Sequence, residues 1–147
     1  MKLHTASESI SFAKELENES AKFYEGLAER YPEDQDVFLS FAQENGKYVK
    51  EIERAYYGVI TDAIEGCFAF DIETEEYTLE TSLAQNASYP SALDKAIEIE
   101  GKIMNFYSNA AEQSKSLMAD VPRAFKMVVR KRGSRSSKLK SLLLKKD

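Results

Sequence analysis

The chain of 147 residues contains one cysteine, one histidine and no tryptophan. Cys67 alone excludes an internal disulfide and any iron centre held by four cysteines. No run of about 18 apolar residues occurs, so no helix is expected to cross a bilayer. The opening MKLHTASESISFAKE has no apolar core ahead of its first acids, so no secretory signal is expected and the expected location is cytoplasmic. No glycine-rich phosphate loop is present. Between residues 121 and 146 there is no Asp, Glu or His at all.

What is present is 43% hydrophobic and 31% charged, the profile of one folded domain of ordinary size. The net charge of −5 conceals an imbalance. Ten Lys or Arg and one acid lie from Arg123 onward; 24 acids and ten bases lie before it. The front is therefore −14 (10 − 24) and the tail +9 (10 − 1).

The punctuation predicts an all-α chain of four long helices over about 6–30, 35–66, 91–118 and 121–145, with a crossover over 67–90. Thr5 with Glu8 reads as a capping box, and Ile10, Ala13, Leu16, Phe23 and Leu27 form the stripe behind it. Pro32 stops the first helix, and Asp34 or Asp36 is placed to cap the second. Pro90 and Ser91 open the third, with Ser91 and Asp94 as the capping pair. Asp120 and Pro122 open the fourth. Two helix pairs with short internal links and one long crossover make a four-helix bundle.

Residues 15–24 read ELENESAKFY and residues 98–107 read EIEGKIMNFY. Their tyrosines are 83 residues apart (107 − 24). At that offset Glu15 meets Glu98, Glu17 meets Glu100, Phe23 meets Phe106 and Tyr24 meets Tyr107, which marks an internal repeat of the first and third helices. On a wheel of about 100° per residue, Glu17 falls among Ala13, Ser20, Ala21 and Tyr24, inside the apolar arc. Glu100 falls among Ala96, Ile103, Met104 and Tyr107. Each of two equivalent helices thus aims one carboxylate inward. Burying a carboxylate without a partner costs several kcal/mol, so both need one.

These two segments resemble the helix-one and helix-three signatures of rubrerythrin-type, ferritin-like proteins. The resemblance implies a ferritin-like four-helix bundle. It also implies that Glu17 and Glu100, each seven residues before its tyrosine, stand at iron-ligand positions. In that family two single glutamates and two Glu-x-x-His pairs enclose two irons. The second helix, FLSFAQENGKY, matches the family pattern at Phe38, Phe41 and Ala42. Asn45 and Tyr48 then occupy the ligand positions. A one-residue slip would offer Glu44 and Lys47, but the wheel puts Lys47 outside the apolar arc. The fourth helix has no residue from which a second Glu-x-x-His pair can be made, and His4 cannot replace two helix-borne imidazoles.

Two or, with Glu44, three of six expected ligands remain, too few oxygen and nitrogen donors for two irons. The chain is therefore read as a family member that keeps the bundle, lacks the conventional di-iron centre, needs no cofactor and acts as a structural or interaction protein. The alternative is a metal-binding oxidoreductase using peroxide or oxygen at an unconventional iron site of Glu17, Glu44 and Glu100. In the first reading Arg132, or failing that Arg130, pairs with Glu17, Glu100 or both, because a guanidinium forks carboxylates and stays charged when buried. Tyr24, Tyr107, Tyr48 and Asn45 supply further hydrogen bonds.

Other features have plainer readings. Cys67 in GCFAF is a small apolar residue with no histidine to activate it. The basic fourth helix is expected mainly to pack on the acidic helices and to pair with them, rather than to bind nucleic acid or membrane; no aromatic follows Phe125 to stack bases. The resemblance implies a homodimer, for which Tyr56, Tyr57, Phe68 and Phe70 offer apolar surface.

Overall fold

The computed structural model describes residues 1–59, 68–115 and 120–146. It is mostly helical, with four long helices among the described residues: α1 (Ala6–Arg30), α2 (Gln35–Val59), α3 (Tyr89–Ser114) and α4 (Asp120–Lys146). Residues 60–66 of the expected second helix and 116–118 of the expected third lie outside the described residues, as does Cys67.

Local chemistry sets the helix ends. Thr5 Oγ1 accepts the Glu8 amide at 3.1 Å, and the Glu8 carboxylate accepts the Thr5 amide at 3.0 Å. Two of the donors at the helix start are thereby satisfied reciprocally. The start of α3 differs from expectation. Its N-cap is Ser88, whose Oγ accepts the Ser91 amide at 3.2 Å, and Pro90 sits inside the first turn. Ser91 and Asp94 are thus already helical, because a proline needs no amide partner in the first turn and lets the helix begin ahead of it.

The second departure is a small antiparallel sheet of β1 (Lys2–Thr5) and β2 (Phe68–Glu73), with Leu3 opposite Ile72 and Lys2 opposite Glu73. The crossover is therefore not all coil or helix. FAFDIE alternates apolar and polar residues, the period of a strand with one buried face. Phe70 and Ile72 point inward while Asp71 is exposed. A single turn of 3-10 helix (Thr74–Tyr77) follows, and Tyr77 and Leu79 continue the crossover's buried edge.

Helices α1 and α2 pack on each other, as do α3 and α4; α2 also packs on α4, and α1 on α3. Cross-helix neighbours run in opposite senses. Lys14 pairs with Glu53, Asn45 bonds Glu17, and Tyr24 stacks on Phe38. Likewise Glu100 meets Arg132 and Tyr107 meets Phe125. Each short link therefore joins antiparallel neighbours. The diagonal pairs are α1 with α4 and α2 with α3.

The repeat extends through the burial pattern. All eleven buried positions of α1, from Ala6 to Ala28, have a buried counterpart in α3 at the offset of 83 (107 − 24). The second helices repeat at a different offset, 87 (132 − 45): buried Phe38, Phe41, Asn45, Tyr48 and Ile52 correspond to buried Phe125, Val128, Arg132, Arg135 and Leu139.

Two surface expectations are corrected. Tyr56 and Phe70 are buried in the core, so they do not offer a pairing surface; Tyr57 is 69% exposed, and the Phe68 side chain lies outside the description. The basic helix α4 packs on α3 and α2 as expected, but among the described residues its exposed bases make no ion pair with another helix, although Lys126 lies beside Glu112 of α3. Among the described residues Arg123 is the exposed base of α4 with an ion pair, and its partner at 3.5 Å is Asp120 of the same helix.

Candidate functional site

At the bundle centre the inward positions of all four helices converge. Glu17 comes from α1 and Glu100 from α3, both buried. Asn45 and Tyr48 come from successive turns of α2, and Arg132 and Arg135 from successive turns of α4. Residues three apart share one helix face, which is why each pair arrives together.

Arg132 lies between the two carboxylates. Its Nη2 donates to Glu17 Oε1 and its Nη1 to Glu100 Oε1, each at 2.6 Å. The two outer carboxylate oxygens are taken by tyrosines from the opposite repeat. Tyr24 Oη donates to Glu100 Oε2 at 2.6 Å, and Tyr107 Oη donates to Glu17 Oε2 at 2.7 Å. The repeated tyrosines and glutamates thus exchange partners about a local pseudo-twofold that runs through the guanidinium.

Arg135, which lies in the basic tail and is not among the expected residues, is a member of the same network. Its Nη1 donates to Asn45 Oδ1 at 2.8 Å and lies 3.5 Å from Glu100 Oε2. Its Nη2 donates to the Phe41 carbonyl at 3.0 Å. The guanidinium carbon sits 4.6 Å from the Phe41 ring centre and 5.3 Å from those of Tyr24 and Tyr48. A weakly hydrated planar cation suits such a pocket better than an ammonium. The signal was available: Arg135 follows Arg132 by three residues, as Tyr48 follows Asn45. Asn45 ties the network to the backbone through its Nδ2, which donates to the Glu17 carbonyl at 3.2 Å.

Two expected residues stand apart. Arg130 is exposed and lines a surface cleft with Glu51 and Arg54, two residues round the helix from the inward face. Glu44 is half-buried, and its Oε2 accepts the Tyr48 hydroxyl at 3.2 Å. It does not gather with Glu17 and Glu100: among the described residues no group of three or more His, Cys, Asp or Glu is placed to hold a metal ion.

The charges balance. Two buried carboxylates face two buried guanidinium groups. Burial opposes the charge on Arg132, but the attraction of Glu100 and then Glu17 outweighs it and holds the proton more tightly than on an ordinary arginine. Burial also raises the Tyr24 and Tyr107 hydroxyls well above the usual tyrosine range, and the adjacent Glu100 and Glu17 charges push the same way. Tyr48 is pushed up to about 12, chiefly by burial. All three tyrosines are therefore proton donors at neutral pH.

This donor set does not fit a di-iron centre. All four carboxylate oxygens of Glu17 and Glu100 already accept hydrogen bonds, and a cation occupies the space between them. The other inward groups are an amide, a phenol and a second guanidinium, and an arginine cannot give up its proton to become a ligand. Comparison with protein-family models, with curated proteins and with solved structures gave no match.

Proposed function

We propose that the chain is a ferritin-like, rubrerythrin-type bundle in which a charge-neutral polar network takes the place of the di-iron centre. In this reading it serves as a structural or interaction protein, working through association with other chains rather than through redox chemistry. The observation that carries the reading is Arg132 forked between Glu17 and Glu100. Di-metal carboxylate bundles draw one glutamate from each of two helices and an i, i+3 pair from each of the other two. Here Glu17 and Glu100 fill the single positions, and Asn45 with Tyr48 and Arg132 with Arg135 fill the paired ones. The guanidinium groups supply the positive charge that two metal ions would otherwise bring. Both acids are buried with every carboxylate oxygen already bonded, so the set offers no open coordination position among the described residues.

The test is elemental analysis of protein purified without chelators, followed by anaerobic titration with ferrous iron. The expected result is no stoichiometric iron and no change in the ultraviolet spectrum on admitting oxygen. Uptake of about two irons per chain would overturn the reading and restore the oxidoreductase alternative.

A further inference from the structure

The buried network consumes two of the arginines of α4. The remaining cations form an outward face and outnumber the acids beside it: Asp120 pairs with Arg123, Glu51 shares a cleft with Arg130, and Glu112 of α3 lies beside Lys126. Lys126, Arg130, Lys138, Lys140 and Lys145 are exposed, and none makes an ion pair among the described residues. At about 1.5 Å per residue they extend over about 29 Å of helix.

Helix α1 carries the counterpart. Glu15, Glu19, Glu25 and Glu29 are exposed on the side turned away from the core and likewise make no ion pair among the described residues. They cover about 21 Å at the same rise, with Lys22 the one base among them. Their crowding acts at Glu19, whose carboxyl is raised first by partial burial and then by the charge of Glu15, against the smaller opposing pull of Lys22.

The two stripes cannot neutralise each other within one molecule. Helices α1 and α4 are diagonal in the bundle, each packing on α2 and α3, and their outward faces look in opposite directions. Over such distances surface charges are screened within one molecule, at about 8–10 Å in ordinary buffers. Between molecules they can be brought into contact.

We propose that the basic face of α4 docks on the acidic face of α1 of a second copy, giving head-to-tail, salt-sensitive self-association. Charge complementarity selects the partner: the cationic face is matched in sign and length by a face of the same chain. Because the two faces lie on opposite corners, the contact is heterologous. A second copy satisfies one face and leaves the other open, so growth does not stop at two. The proposal is independent of the metal reading above, since it rests on surface residues alone.

The test is sedimentation velocity on nucleic-acid-free protein from about 10 to 500 μM, at low and at high salt. The expected result is a mass that rises with concentration past that of a dimer at low salt and returns to the monomer value at high salt, as screening shortens the reach of the charges. Two surface variants extend it: Lys126→Glu with Arg130→Glu and Lys138→Glu, and Glu15→Lys with Glu19→Lys and Glu29→Lys. Each is expected to stay monomeric alone, with an unchanged thermal midpoint, and mixing the two is expected to restore association. A monomer at every low-salt concentration would overturn the proposal, as would a salt-independent dimer. Loss of association in the α4 variant but not in the α1 variant would also overturn it, since α4 would then be meeting a different acidic face of the chain.

Discussion

The first helix pair and the second bring different charges to the same centre. Helices α1 and α2 contribute Glu17, Asn45, Tyr24 and Tyr48, one negative charge in all. Helices α3 and α4 contribute Glu100, Tyr107, Arg132 and Arg135, one positive charge in all. The repeat is close where acids and tyrosines are concerned and absent where cations are concerned. Neither half can bury its inner face without the other, so the duplicated architecture is held together by the part that is not duplicated.

The most damaging way to break this comparison is to remove its cation. Arg132→Leu leaves two buried carboxylates without their shared partner and is expected to cost about 3–5 kcal/mol in urea unfolding. Adding Glu17→Gln and Glu100→Gln is expected to recover much of that loss, because uncompensated charge rather than missing contact is the larger penalty. If the triple variant is less stable than Arg132→Leu alone, charge balance is not what the centre needs. Arg135→Leu is expected to cost less, about 2–3 kcal/mol, since its nearest acceptors, Asn45 and the Phe41 carbonyl, are neutral.

The tyrosines test the local twofold. Tyr24→Phe and Tyr107→Phe each remove one hydrogen bond to a carboxylate, and each is expected to cost about 1.5–3 kcal/mol, equally within error. They also carry a pH signature. Both hydroxyls are held above the usual tyrosine pKa, so on raising the pH the unfolded chain loses these protons first. Their contribution is complete below about pH 10 and falls as the pH rises beyond it. Urea midpoints at pH 8, 10 and 11 should drop more steeply for the native chain than for the double phenylalanine variant.

The smallest effects sharpen the comparison instead. Ser9 and Ser20 are buried in α1 with hydroxyls that find no partner among the described residues, where α3 has Ala92 and Ile103. Ser9→Ala and Ser20→Ala remove an unsatisfied polar atom and are each expected to stabilise by about 0.5–1 kcal/mol. A loss of stability in both would show that these hydroxyls are satisfied in solution.

Much of this was legible in the residues. Helix periodicity, the capping box at Thr5 and the inward aim of Glu17 and Glu100 all follow from spacing, and spacing dominates in long amphipathic helices. The strand at Phe68–Glu73 was overlooked because six alternating residues are a weak signal among acids, although Phe70 and Ile72 carry it. Arg135 was overlooked for another reason. A basic tail reads as surface, and only the position of Tyr48 and Phe41 across the bundle makes a second guanidinium welcome inside. That information lies in pairs of distant residues, not in any local window.

The order of synthesis gives the central cation a further consequence. Arg132 and Arg135 are synthesised after both glutamates and all three tyrosines that surround them. A nascent chain ending before α4 has acids with nothing to meet, and closing its interior would strand them. Native packing of the centre therefore waits on α4, because only its two guanidinium groups make burial of the glutamates tolerable.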